Sequence, residues 1–302
     1  MYDSAALKQN SSDPVTVLTD CDSNAVRDAL KEHGAVIVRA AANLSDFEEL
    51  SNQLIAPMVH HSTSTTVERD VVNADGTTST VNKGMDYIPL HREGSYAPGC
   101  PDLLMLYCVR PSDEGGQTNL CDGVDLLAAL PTGIQKFVND AILKWSWSAT
   151  PERWMATLGV NSKDAAMVRL NMIKTRLPSW EKLEAEFDGE TLKGVFQTLC
   201  VIPTRWGDKR SFCNSLLIYY YRQATESYPK HQYTPTMGDG SPFPTGMLEE
   251  IAAAAEVRTY STRWRENDIL MFDNSRYMHG RTGFTDTGRQ ILVRMGHVKE
   301  GQ

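Results

Sequence analysis

The chain has 302 residues, 41% hydrophobic and 23% charged, an ordinary globular composition with room for one large domain. A formal charge of −8 and a pI near 5.4 disfavour binding to nucleic acid or to an anionic membrane, both of which need a basic surface. No apolar run approaches the roughly 18 residues of a membrane span. The six scattered cysteines contain no Cys-x-x-Cys pair, so reduced thiols in a cytoplasmic protein are expected.

Residues 1–14 are polar, lack the apolar core of a signal peptide and read as a flexible tail; 15–302 read as one domain. Residues 24–33 predict an amphipathic helix capped by Ser23 and ended by Gly34, and 35–39 a buried strand. A second helix runs to Leu54 from Ser45 as N-cap, with Glu48 completing a capping box. The segment 58–86 is rich in Thr, Ser, Asn, Asp and Gly around a turn at Ala74-Asp75-Gly76; it is either a lid or a plain surface hairpin.

Strands are expected over 103–109 and 117–121, helices over 124–130 and 134–142, and a strand over 143–147. A helical insertion at about 150–195 follows, with Trp154 and Trp180 as core or cleft aromatics. Residues 212–221 read as a strand, 222–243 as an irregular loop and 247–257 as a helix. Strands over 259–264, 268–272 and 290–298 close the chain. Many short strands flanked by helices predict an α+β, mainly β class: an antiparallel barrel or jelly roll with helices on one side.

Two distant stretches carry chemistry. Residues 89–96 contain His91-Arg92-Glu93, and 273–281 contain Asp273-Asn274 followed by His279-Gly280-Arg281. In an extended chain His91 and Glu93 point the same way. Pro89, Gly94 and Pro98 argue against a helix there, which sets aside a His-Glu-x-x-His zinc site. Two imidazoles and one carboxylate on one face of a metal, with open positions opposite, is how non-haem Fe(II) is held for oxygen chemistry. His33, His60, His61, His231 and His297 read as surface or packing residues.

These motifs, with Val36–Arg39 after Gly34, the run Gly115-Gly116-Gln117-Thr118 and an arginine-bearing last strand, resemble the TauD/TfdA family of Fe(II)/2-oxoglutarate-dependent dioxygenases. Glu93 at the carboxylate position is similar to the clavaminate synthase-like branch. The resemblance runs from about residue 30 to the C-terminus and is loose over roughly 145–210. It implies a double-stranded β-helix (jelly roll, cupin-like) core with flanking helices, and His91, Glu93 and His279 as metal ligands. It implies Fe(II), with 2-oxoglutarate as cosubstrate and O2. It further implies Thr118 as a 2-oxoglutarate contact and an arginine of the last strand gripping the far carboxylate, a task suited to a bidentate guanidinium.

The arginine departs from the family pattern. Arg289 and Arg294 lie ten and fifteen residues after His279, on either side of the usual spacing, with Gln290 between them. Their odd separation puts them on opposite faces of a regular strand. Placing Ile291, Val293 and Met295 outward, under a helix, turns Arg294 inward with Gln290 and Leu292. Arg294 is therefore the expected ligand, and Arg289 the alternative if a bulge resets the register.

The activity implied is oxidation of an unactivated C–H bond of a small molecule, with 2-oxoglutarate converted to succinate and CO2. Hydroxylation of an amino-acid-like or natural-product-pathway compound is the leading form. Desaturation and oxidative cyclisation share the same chemistry, and a metal-binding cupin-like protein without turnover is the other class. Arg276, Arg281 and whichever of Arg289 and Arg294 is spare suggest a carboxylate-bearing substrate; Arg276 and Arg281 could equally pair structurally with Asp273 or Asp286.

Overall fold

The computed structural model describes residues 15–40, 42–59, 69–224 and 235–299. The expected tail at 1–14 lies outside them, as do His60, His61 and His231. The N-terminal part comprises β1 (Thr16–Leu18), α1 (Ser23–His33), β2 (Ala35–Val38), α2 (Leu44–Leu54), β3 (Ile55–Pro57), β4 (Ser79–Thr80) and β5 (Ile88–His91). Then come β6 (Leu103–Arg110), β7 (Thr118–Asp122), α3 (Gly123–Ala129), α4 (Thr132–Asp140), β8 (Ile142–Ala149), α5 (Pro151–Leu158), α6 (Lys163–Lys174), β9 (Lys182–Asp188) and β10 (Thr191–Leu199). The last third holds β11 (Ile202–Pro203), β12 (Arg210–Ser211), α7 (Leu216–Ala224), β13 (Thr236–Met237), α8 (Thr245–Val257), β14 (Tyr260–Ser261), β15 (Ile269–Asp273), β16 (Tyr277–Arg281) and β17 (Gln290–Val298).

The architecture is mixed α+β and mostly sheet. A seven-stranded sheet runs β1-β2-β15-β6-β17-β3, with β4 also paired to β17. A four-stranded sheet runs β14-β7-β16-β5. Alternation along each strand of the large sheet sorts its residues between two cores. Val36, Val38, Leu103, Met105, Ile269, Met271 and Leu292 pack under Val26, Leu30, Phe47, Leu50 and Leu54 of the two N-terminal helices. Ala35, Ile37, Leu104, Leu106, Leu270, Phe272, Ile291, Val293 and Met295 face the other way and meet Leu120 and Tyr277 of the four-stranded sheet. One apolar core thus lies between the large sheet and the two N-terminal helices, and another between the two sheets.

That partition reverses the one expected for the last strand. Ile291, Val293 and Met295 face the space between the sheets, and Leu292 and Arg294 face α2. Arg294 is buried on the helix side, where it donates to Asn52 Oδ1 at 2.8 Å and lies 3.4 Å from Glu48 Oε1.

The third core is built by the middle of the chain. A four-stranded sheet, β13-β8-β10-β9, packs Leu143, Trp145, Leu183, Leu192 and Phe196 against α3 to α6 and α8. Here the helical insertion expected to about 195 is corrected. Helix ends at Lys174, and 182–199 form a hairpin paired in register from Thr191–Asp188 to Gln197–Lys182. The period-two burial of Leu192, Gly194, Phe196 and Thr198 marks a half-buried strand. Trp154 is buried, with its indole N–H donating to Glu190 O at 3.1 Å, but Trp180 is exposed.

The expected strand at 212–221 is also corrected, since 216–224 are helical. Its Ile218 and the tyrosines 219–221 favour strand by propensity. Asn214 starts a helix instead, by accepting from Leu216 N at 2.9 Å, and α7 then packs on β5. The N-caps of the first two helices shift as well: Asp22 caps α1, and Asn43 caps α2 in a reciprocal box with Asp46. All six cysteines are unpaired. Among the described residues no helix is long and apolar enough to cross a membrane.

Candidate metal centre

Strand pairing is what joins the two distant motifs. β5 and β16 are antiparallel neighbours, with His91 directly opposite His279. Cross-strand partners hold their Cβ atoms about 5 Å apart, and the two imidazole centroids are 4.3 Å apart. The pairing slips between His279 and Arg281, where β5 carries an extra residue. Gly280 sits at this irregularity; a Cβ there would lie 2.5 Å from Ile88 O, so the His-Gly-Arg order is a steric requirement of the bulge.

Glu93 lies just beyond β5, where the chain leaves its extended course and turns at Gly94, whose φ is +71°. Asn274 fixes it. The Asn274 side chain accepts from Glu93 N at 3.0 Å and donates to Glu93 O at 3.0 Å and to Pro101 O at 2.9 Å. Asp273, beside it, accepts from Ser275 N and Oγ and so closes the turn between β15 and β16. The Asp-Asn pair therefore shapes the turn and clamps the backbone of Glu93.

Glu93 Oε2 is 3.9 Å from His91 Nε2 and 3.7 Å from His279 Nε2. One ligand atom from each of the three residues lies within 4.8 Å of the other two, close enough to share one ion. This is the one such group of His, Cys, Asp or Glu among the described residues. The tautomers suit ligation. His91 Nδ1 is 2.9 Å from Pro89 O, an acceptor, so Nδ1 carries the proton and Nε2 presents its lone pair. Burial, then His91 and Arg69 nearby, push His279 well below the ordinary imidazole value, which keeps it neutral at pH 7. Its ring packs on Phe272, with centroids 5.2 Å apart, and its Nδ1 has no hydrogen-bond partner among the described residues. The donor set, the spacing and the protonation states all fit a divalent cation.

The three residues line an open cleft between the two sheets. Apolar walls come from Ile88, Leu104, Leu106 and Val293, and polar ones from Arg69, Asn82, Thr118, Arg281 and Arg289. Thr118 is buried on β7, opposite Arg281. Arg289 enters this cleft and Arg294 does not, in keeping with the reversed face assignment. The expected opposition of the two arginines holds. The irregularity near Gln290 falls on the partner strand, where Arg110 and then Cys108 oppose consecutive residues of β17.

Arg289 is held by Gly116, whose carbonyl accepts from its Nε at 2.8 Å. Gly116 has a φ of +68°, and a Cβ there would lie 2.7 Å from Arg289 Cδ, so the glycine is what admits the arginine. Burial, then Arg281, lower the Arg289 guanidinium to about 10, still protonated at neutral pH. Arg276 is structural: its Nε and Nη2 donate to Asp122 Oδ2 at 2.9 and 2.7 Å. Arg281 donates to Asn82 O and Asp86 O, not to Asp286. Sequence reasoning missed Arg69 and Asn82, which come from the polar 58–86 segment. Nothing in that segment's composition marks one arginine among its polar residues.

Asn274→Ala is expected to remove three hydrogen bonds made by a fully buried side chain and leave the Glu93 amide and carbonyl unsatisfied. The cost is on the order of 3 kcal/mol, with metal affinity reduced about 10- to 100-fold by the misplaced carboxylate. Thermal melting and Mn(II) titration of the variant measure the two effects separately.

Comparison with known proteins places this geometry in context. The family model described as Taurine catabolism dioxygenase TauD, TfdA family matches residues 5–295. A clavaminate synthase-like protein of Arabidopsis thaliana is 22% identical over 220 residues, 68% of this chain. The match spans 64% of that relative's length, less than two thirds. The structure of PvcB from Pseudomonas aeruginosa superimposes with a TM-score of 0.54 at 13% identity, covering 96% of this chain and 88% of that one. A taurine dioxygenase from Burkholderia xenovorans superimposes with a TM-score of 0.56 at 15% identity, covering 96% and 85%.

Proposed function

The chain belongs to the taurine catabolism dioxygenase TauD, TfdA family of Fe(II)/2-oxoglutarate-dependent dioxygenases, and from that premise we propose that it oxidises an unactivated C–H bond of a small molecule. Hydroxylation of an amino-acid-like or natural-product-pathway compound is the reaction proposed, with 2-oxoglutarate converted to succinate and CO2. The observation that carries this reading is the convergence of His91, Glu93 and His279 in a cleft whose wall also holds Arg289. PvcB, an Fe, alpha-ketoglutarate dependent oxygenase from an isonitrile synthetic pathway, shares the fold and supports a biosynthetic setting. The facing antiparallel sheets are read as a double-stranded β-helix, and the whole as one domain.

Bound together, Fe(II), 2-oxoglutarate and O2 supply the oxidising power. The chain supplies placement. His91 and His279 present their Nε2 atoms, and Glu93 presents its carboxylate from a backbone locked by Asn274. Arg289, fixed by Gly116, would grip the distal carboxylate of 2-oxoglutarate through its terminal nitrogens, and the Thr118 hydroxyl would contact the same molecule. Leu104, Leu106 and Val293 keep that part of the cleft dry, which strengthens the charge contacts within it. Desaturation and oxidative cyclisation would use the same residues. The unpaired thiols support a reducing, cytoplasmic location.

Succinate release from 2-oxoglutarate, with Fe(II) and O2, across small carboxylates and amino acids is the test. Stimulation by at least one compound is expected. Turnover of such compounds with Zn(II) and no consumption of 2-oxoglutarate would contradict the reading.

A further inference from the structure

Between β16 and β17 the chain reverses over residues 282–289. Asp286 closes the turn: its side chain accepts from Gly288 N at 2.7 Å and its carbonyl from Arg289 N at 3.4 Å. The first limb is zipped to the Gly115-Gly116-Gln117-Thr118 run. Thr118 opposes Arg281, Thr282 N donates to Gln117 O at 3.1 Å, Gly116 N donates to Gly283 O at 3.3 Å, and Gly115 bridges Phe284. A Cβ on Gly115 would collide with Gly283 O, so the glycine is what permits this approach. From the other side Phe284 N donates to Met85 O at 3.0 Å. The backbone therefore fixes Phe284, a half-buried aromatic, five residues before Arg289.

Two guanidinium groups meet on this ring. The Cζ atoms of Arg281 and Arg289 each lie 5.0 Å from its centre. That is inside the roughly 6 Å over which the negative face of an aromatic ring attracts a cation. Two charges that share one ring stand no further apart than a screening length of about 10 Å in 0.1 M salt, and they repel. The repulsion adds to burial in lowering the Arg289 guanidinium to about 10. Arg281 is held by two backbone carbonyls, Asn82 O and Asp86 O. Arg289 has a single hydrogen bond among the described residues, from Nε to Gly116 O. One bond leaves the guanidinium plane free to swing away from Arg281. The Phe284 ring is a second point of attachment and offsets the repulsion from both sides.

We propose that Phe284 is a positioning residue for the arginine assigned to 2-oxoglutarate, its ring holding the Arg289 guanidinium in the cleft against the repulsion of Arg281. Phe284 is not among the residues that line the cleft, so it acts through Arg289. The proposal rests on the 2-oxoglutarate dioxygenase reading and deepens it by adding a residue to the cosubstrate site. An aliphatic side chain of similar size would fill the same space but offer the two cations no negative face.

The test is calorimetric titration of N-oxalylglycine, a stand-in for 2-oxoglutarate, into Mn(II)-loaded protein. Phe284 is replaced site-specifically by phenylalanines bearing one, two and three ring fluorines, which keep the shape of the ring and drain its negative face. Affinity is expected to fall stepwise, reaching a loss of about three- to tenfold with three fluorines, the scale of a partly desolvated cation–π contact. Phe284→Leu should lose as much, Phe284→Tyr should stay within about twofold of wild type, and Mn(II) affinity should not change. In the Arg289→Gln background, fluorination should have no further effect. An affinity that ignores fluorination, or Phe284→Leu binding as wild type does, overturns the proposal. So does a graded response that persists in Arg289→Gln, or a parallel loss of Mn(II) affinity. Failure of N-oxalylglycine to bind Mn(II)-loaded wild type is a different result: it refutes the dioxygenase reading on which the proposal stands.

Discussion

Replacing His279 by Ala is expected to reduce succinate formation to background while the protein stays folded. The variant deletes one of three ligands, and its effect on metal affinity should exceed the roughly 10- to 100-fold that loss of an outer hydrogen-bonding partner causes. The fold should survive for reasons visible around the ring. The strand pairing of His279 with His91 is made by the backbone, and Nδ1 makes no hydrogen bond among the described residues. What is lost besides the ligand is packing against Phe272, a large-to-small change of the order of 1–3 kcal/mol at a partly polar site. Circular dichroism, Mn(II) titration and succinate release together separate the two losses. An unchanged rate of succinate release would remove His279 from the metal site.

Arg289→Gln is expected to weaken 2-oxoglutarate binding by about 10²- to 10³-fold, the scale set by losing one partner of a desolvated charge pair. Iron loading should change little, since Arg289 makes no contact with the three ligands among those described. Arg294→Gln is the matched comparison. It removes a buried guanidinium from Asn52 and Glu48 on the far face of the same strand. Glu48 is partly solvated, so the cost is on the order of 1–2 kcal/mol of stability, with 2-oxoglutarate affinity unchanged. Isothermal titration on both variants settles which arginine serves the cosubstrate. A loss confined to Arg294→Gln would restore the assignment made from the strand pattern alone.

The three candidate metal residues were legible because each sits in a motif whose neighbours have structural duties of their own. Gly280 is required by the bulge beside His279, and Asn274 by the turn that carries Glu93. Gly116 is required by Arg289, which ties the Gly-Gly-Gln-Thr run to the arginine at the start of the last strand. The arginine assignment itself misled, because alternation along one strand fixes which residues share a face but not which face is inside. Ile291, Val293 and Met295 satisfy a helix-covered surface as well as an inter-sheet core; only the second sheet decides between them. The hairpin at 182–199 was obscured by a run of charged residues on its exposed face, and α7 by an isoleucine and tyrosines that favour strand, although Asn214 accepts from Leu216 N at the start of the helix. Arg69 was beyond reach for another reason. Its approach to Glu93 is a distance across the cleft, which local sequence does not encode.

The central claim is that His91, Glu93 and His279 hold Fe(II) in a site that also admits 2-oxoglutarate. The most direct measurement is the visible absorption spectrum of the purified protein without oxygen, recorded after Fe(II) alone, 2-oxoglutarate alone, and both. The account expects a weak charge-transfer band that needs both additions, and its loss in His279→Ala. Fe(II) shown to be bound, with no band on adding 2-oxoglutarate, would contradict it and leave a metal site of another chemistry.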